Sequence, residues 1–243
     1  VTRVAANPFQ AWEKWFETPA GALLRDTEQA WLDARLQDRF GYQAFQMGPE
    51  GVDALRQNRM ACRARLAPFA ALSNGEQLVC DPAALPVESD STDLLVLVHC
   101  LEMVGDPHGL LREAERILIP EGQLVILGLN PFSLWAAHRP RAVTQCPPME
   151  GKWLSPARVR DWCNLLGLSI DGGCFGVYRP MVYEAAWSQR WRWMDAAGAR
   201  WWPGLGATYL LTAVKRRTGL RVLSPTWKRT SRRATSAAVA RQA

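Results

Sequence analysis

Long apolar runs are missing from this sequence. No stretch approaches the roughly 18 uncharged residues that a bilayer-spanning helix needs, and the first residues lack the basic-then-apolar layout of a secretory leader. The expectation is a soluble, cytoplasmic protein. Histidine is scarce, and none of the three (His99, His108, His138) stands at metal-ligand spacing from another histidine, a cysteine or an acid. The six cysteines contain no CxxC pair, so reduced thiols are expected, without a disulfide framework or a structural metal. No GxGxxG follows an apolar run, which argues against a nicotinamide dinucleotide enzyme. Acids are absent from residues 215–243, where nine lysines and arginines sit among serine, threonine and alanine.

What is present suits a globular domain with appendages: 48% of 243 residues are hydrophobic and 21% are charged, enough to build a sizeable core. The formal net charge is +6, yet outside the last 29 residues 20 basic side chains face 23 acidic ones, a balance of −3. The positive charge therefore belongs to the C-terminal segment. Residues 217–243 read as a basic, disordered tail capable of weak, salt-dependent contact with nucleic acid or another anionic surface. A solvated tail without a partner is the plain alternative.

The segment 79–133 organises the chain. Leu94 to Val98 is an unbroken Leu/Val run, too short for a helix and suited to a strand covered on both faces. Asp106 offers an N-cap and Pro107 fits the first helical position, where no amide hydrogen is needed. Leu110, Leu111, Ala114, Ile117 and Leu118 then form one apolar face. Pro120-Glu121-Gly122 is a turn, and Leu124 to Leu129 is a second apolar run. The unit is a strand, a crossover helix and a parallel strand, whose ligands belong beyond the carboxyl ends of the strands. Those ends are Cys80-Asp81, Val98-His99 and Leu129-Asn130.

The motifs Asp81-Pro-Ala-Ala-Leu-Pro, Ser91-Thr-Asp-Leu-Leu-Val, Asp106-Pro, Leu111-Arg-Glu-Ala-Glu-Arg-Ile-Leu-Ile-Pro-Glu-Gly and Leu124-Val-Ile occur in that order. With them the chain, over roughly residues 41–216, resembles the class I S-adenosylmethionine-dependent methyltransferases of the small-molecule type. Its flanks, Trp15-Phe-Glu-Thr-Pro-Ala-Gly and Asn130-Pro-Phe-Ser, resemble a proteobacterial branch of that superfamily. The fold implied is α/β: a Rossmann-like, seven-stranded, mostly parallel sheet with an antiparallel last strand, carrying an N-terminal helical cap. Residues 1–40 are the cap, 41–216 the methyltransferase-like domain and 217–243 the tail. Within the cap, Thr18-Pro19 opens a helix with Leu23, Leu24, Thr27, Trp31 and Ala34 on one side, ending by Gly41. The resemblance implies that such helices cover the cofactor and substrate mouth; the plainer reading is a packing helix that closes the sheet.

The remaining strands are expected at Tyr42–Met47, Arg63–Leu66, Gln77–Cys80, Leu168–Tyr178 and Ala207–Lys215, with a helix opening at Ser155-Pro156 and stopping at Gly167. By resemblance the first strand should run into a GxGxG turn whose bare backbone admits the methionine end of S-adenosylmethionine. This chain has Met47-Gly-Pro-Glu-Gly, and Pro49 has no amide hydrogen to donate. The second strand should end in an acid for the ribose hydroxyls, but Ala67-Pro68 stands there. Asp81 holds the position whose carboxylate accepts from the adenine amine, and a turn residue is the alternative. The cofactor residues so implied are Gly48, Asp81, Ala83, Leu85, Val98 and His99.

His99 or Glu102, just after the fourth strand, is the candidate base where an acceptor must lose a proton; a polar residue bonded at a helix start is the alternative for His99. Asn130, Trp187 and Trp191 are substrate-side candidates. Asn130-Pro-Phe-Ser is similar to the Asn-Pro-Pro-Tyr signature of amino-methylating nucleic-acid enzymes, but it follows the fifth strand, so that role is not carried over. The tryptophans lie in a segment, residues 180–206, that is either packed on the sheet or a lid over a flat or apolar substrate. Two functions remain open: methyl transfer to a small molecule, and a binding or regulatory protein that keeps the fold without using the cofactor.

Overall fold

The computed structural model describes residues 9–67, 77–138, 150–181 and 184–216; the expected basic tail lies outside them. Seven strands form one sheet in the order β3-β2-β1-β4-β5-β7-β6. They are β1 (Gln43–Met47), β2 (Cys62–Ala67), β3 (Gln77–Val79), β4 (Thr92–Val98), β5 (Leu118–Leu129), β6 (Leu168–Gly176) and β7 (Thr208–Lys215). Strands β1 to β5 pair in parallel, while β7 runs antiparallel to both β5 and β6. This is the expected sheet, with β7 inserted between β5 and β6.

The centre follows directly from its residues. Leu94 to Val98 have no exposure, and Asp93 of β4 accepts at 2.9 Å from the amides of Tyr42 and Gln43. Its carboxylate thereby fixes where β1 begins. Cys100–Met103 forms α3, and Pro107–Ile117 forms α4 with Asp106 capping the Gly109 amide at 2.9 Å. Strand β5 starts six residues earlier than the apolar run implied. Leu118 pairs with Thr92, the Pro120-Glu121-Gly122 turn bulges outward with Glu121 at φ 67°, and pairing resumes at Gln123 opposite Leu94. Two backbone bonds from Asp90 and Ser91 to the end of α4 hold the chain against the sheet before that bulge. At the far end Lys215 is buried, its ammonium within 3.0 Å of Asp90, Glu115 and the Leu118 carbonyl.

The cap comprises α1 (Phe9–Phe16) and α2 (Pro19–Leu36), divided where Thr18 caps the Gly21 amide. Helix α2 buries only part of the stripe expected for it: Leu24 is buried, Leu23 and Trp31 pack half-buried on the core, and Ala34 is exposed. The buried positions are Ala20, Gly21, Leu24, Glu28, Gln29, Leu32 and Leu36, so the inward face is rotated toward residues that look polar in the sequence. The reason is that Glu28 and Gln29 have partners inside: Gln29 exchanges two hydrogen bonds with the Asp53 backbone, and Glu28 joins the cluster described below. Trp31 instead packs on β6, where a Cβ at Gly176 would lie 2.5 Å from its ring.

After β5 come α5 (Leu134–His138), α6 (Pro156–Leu165, capped by Ser155), α7 (Ala185–Arg190) and α8 (Trp193–Trp201). A 3-10 turn, Pro203–Leu205, leads into β7. Among the described residues no helix is long and apolar enough to cross a membrane.

Candidate cofactor crevice and a buried Glu-His-Glu cluster

Strand order reverses between β1 and β4, so their carboxyl ends flank the crevice where ligands of such sheets bind. Gly48 leaves β1 at φ 143°, and a Cβ there would sit 2.4 Å from the Val98 carbonyl oxygen, so the two strand ends meet as only glycine permits. His99 leaves β4 in the left-handed region, φ 53°, uncommon for a side-chain-bearing residue.

This backbone turn sends His99 inward. Its ring has no exposure and stacks on Trp12 of α1, with centroids 4.4 Å apart and planes 22° from parallel. Nε2 stands 3.1 Å from Glu28 Oε2, and Nδ1 stands 3.6 Å from Glu102 Oε2, too long for a hydrogen bond but close for opposite charges. Glu28 Oε1 accepts from the Thr208 hydroxyl at 2.5 Å, and Glu102 Oε1 accepts from the Leu129 amide at 2.5 Å. Burial alone would push the imidazole pKa down; the carboxylates of Glu28 and Glu102 outweigh it and hold it up at about 10. The ring is therefore an imidazolium at neutral pH, shared between a cap helix and a sheet-end helix.

Helix α1 lies across the same crevice. Glu13 Oε1 accepts from the Gly51 amide at 2.9 Å, and Phe16 presses on that turn, where a Cβ at Gly51 would lie 2.7 Å from its ring. Burial raises the Glu13 pKa, opposed by the amides of Gly51 and Glu50. The indole nitrogens of Trp12 and Trp15 are buried without a hydrogen-bond partner.

The expected cofactor residues fall into two groups. Gly48, Val98 and His99 meet at the crevice, whereas Asp81, Ala83 and Leu85 form a turn after β3, on the other side of β1 and β2. Asp81 is exposed and accepts from the Ala83 amide at 2.9 Å; Leu85 is buried and donates its amide to Glu113. Strand β2 ends at the buried Ala67 with no acid in place. Asn130 is fully buried: its amide nitrogen donates to the carbonyls of Gly204 and Gly206, and its Oδ1 accepts from the Phe132 amide. Trp191 is half-buried, its ring 6.3 Å from that of Trp193, while Trp187 lies in α7 with its side chain outside the described part. Sequence reading missed Trp12, Glu13, Glu28 and Thr208. Only His99 and Glu102, three residues apart, hinted at a cluster, and its other half comes from contacts across 71 and 180 residues.

Residues 50–126 match the family of the methyltransferase domain. The chain is 28% identical over 204 residues to the uncharacterized protein YafS of Escherichia coli (strain K12), covering 83% of this chain and 80% of that protein. Among solved structures it is similar to an S-adenosylmethionine-dependent methyltransferase of Thermotoga maritima, with a TM-score of 0.63, 16% identity, and 85% and 95% of the two chains covered. A second such enzyme, from Archaeoglobus fulgidus, superimposes with a TM-score of 0.56 at 15% identity over 79% and 94%. Residues 50–126 thus resemble a methyltransferase domain, and the fold of the chain is similar to that of these two S-adenosylmethionine-dependent methyltransferases.

Proposed function

We propose that this chain transfers the methyl group of S-adenosylmethionine to a small-molecule acceptor at the ends of β1 and β4, and that α1 is a cover which moves when the cofactor enters. The observation that carries the reading is the bond from the Gly51 amide to Glu13. The turn after β1 thus already holds a carboxylate, at the place where the superfamily resemblance puts the cofactor's methionine end. The domain match and the cofactor dependence in the names of the Thermotoga and Archaeoglobus proteins support the same choice.

The residues fit the cofactor in part. Gly48 and the Gly51 amide suit its methionine end, and Asp81 with Ala83 and Leu85 suits adenine. The ribose hydroxyls lack their acid at the end of β2. A hydrogen bond to a charged group contributes roughly 1.5 to 3 kcal/mol, so this loss weakens binding about ten- to a hundred-fold. Micromolar affinity at best is expected. When bound, the sulfonium supplies an activated methyl group, and the chain's task is to align the acceptor with it. His99, protonated between two carboxylates, is not a base at neutral pH in the covered state, and Glu102 is committed to the Leu129 amide. Those residues hold and orient.

A second reading, a binding or regulatory protein without cofactor use, is favoured by Trp12 on His99 and Phe16 on Gly51, since both side chains stand in the crevice. Calorimetry with S-adenosylmethionine and S-adenosylhomocysteine on the full chain and on Glu13→Ala separates the two. Weak binding that tightens in Glu13→Ala supports the covered enzyme; no binding of either compound at millimolar concentration by either protein supports the second reading.

A further inference from the structure

The segment joining β6 to β7 returns the chain at the carboxyl end of the sheet, the end that also holds His99. It carries large apolar side chains in water: Trp193 is 59% exposed, Trp201 72% and Leu205 45%. Trp202 is partly exposed beside them, and Phe132, on the loop after β5, is 69% exposed. The link between the two loops is Asn130, whose side-chain amide grips the carbonyls of Gly204 and Gly206 while its oxygen fixes the Phe132 amide. Asn130 thus ties the loop that carries Phe132 to the Gly204–Gly206 turn beside Leu205.

The inner side of the segment is settled. In α8, Gly198 packs on the Tyr178 ring, and Asp195 is bonded to the Tyr178 amide and to Arg179 at 2.6 Å. Trp193, Ala197 and Arg200 recur at helical spacing on the opposite face. Between Arg179 and Gly206 four arginines stand against two acids, and one of those acids, Asp195, is engaged by Arg179. Arg192 and Arg200 are exposed, with the Arg200 guanidinium 5.8 Å from the Trp201 ring centre.

Exposed tryptophans interleaved with arginines, and aliphatic Leu205 among them, are the chemistry of a surface that enters the headgroup layer of a bilayer. We infer that this face docks on an anionic lipid surface, with Trp193, Trp201, Trp202, Leu205 and Phe132 entering the interface and Arg192 and Arg200 meeting headgroup phosphates. The docking stands apart from the methyl-transfer reading, since it uses none of the crevice residues. Single-stranded nucleic acid also stacks on tryptophan, but it has no use for Leu205 and binds with steep salt dependence.

The test is co-sedimentation of the full chain with phosphatidylcholine vesicles and with phosphatidylcholine vesicles containing phosphatidylglycerol. The charged vesicles should be preferred, and part of the binding should survive moderate salt. Trp201→Ala/Trp202→Ala should lower the partition coefficient about tenfold at moderate salt, because apolar insertion scales with buried area. Arg192→Gln/Arg200→Gln should remove the preference for charged vesicles that salt leaves, with the melting temperature kept. Equal partition by wild type and the tryptophan variant, or none by wild type, overturns the inference. So does loss of self-association or of RNA binding in the tryptophan variant without any change in partition, which would assign the face to a second copy or to RNA.

Discussion

Nε2 of His99 stands 3.1 Å from Oε2 of Glu28, and neither side chain has any solvent exposure. One residue follows the central strand and the other belongs to α2, so this contact ties the N-terminal helices to the sheet, as does the bond from Thr208 to Glu28. Removing Glu28 leaves the buried imidazolium with only the more distant carboxylate of Glu102. Glu28→Ala is expected to destabilise the chain by about 3–5 kcal/mol, read from denaturant unfolding. The double variant Glu28→Leu/His99→Leu should cost less than the sum of the single changes. Strict additivity would show that the pair is not coupled.

The same pair predicts a pH dependence. The folded-state imidazole is held up at about 10, above its ordinary 6.5, so between those values the folded chain binds a proton that the unfolded chain has released. Its stabilising contribution is complete below about pH 6.5 and is lost as pH rises toward about 10. Thermal melts across that range should fall with pH, and the corresponding slope should vanish in His99→Gln. A wild-type slope retained by His99→Gln would move the effect to other groups.

Where adenine is proposed to bind, Asp81→Ala is expected to weaken S-adenosylmethionine binding by about ten- to a hundred-fold, the worth of one charged hydrogen bond. Because Asp81 is exposed and bonded only to its own turn among the contacts described, the melting temperature should hold. Calorimetry checks both. Binding that ignores the substitution would place the ligand elsewhere.

For the C-terminal segment, truncation after Arg216 should remove most nonspecific binding to RNA, and the binding lost should be the part that salt suppresses. Residues 217–243 carry seven basic side chains and no acid. Equal RNA binding by the full chain and the truncated one, measured at low and moderate salt, would exclude the segment as the source.

Much of the sheet was legible because its signals are local. Leu94–Val98 has one reading, and Asp106-Pro107 marks a helix start by chemistry that needs no partner beyond the first turn. The cap was legible as helix but not as a face. Periodicity assigns hydrophobic residues inward, and nothing local says that Glu28 and Gln29 find partners just after β4, on β7 and in the loop at Asp53. The bulge in β5 was hidden for a related reason: Pro120-Glu121-Gly122 reads as a turn, and only the pairing of Leu118 with Thr92 shows that the strand begins before it. Asn130 looked like a candidate for contact with a substrate, yet its partners are carbonyls 74 and 76 residues downstream.

The bond between Glu28 and the Thr208 hydroxyl spans 180 residues. On the ribosome the cap emerges before β7, so until Thr208 is made His99 and Glu28 lack the strand that completes their surroundings. The cap therefore cannot lock down as it emerges. A nascent chain arrested before Thr208 should leave α1 and α2 open to a protease or a chaperone, and release of the last strand should close them within the same event that finishes the sheet.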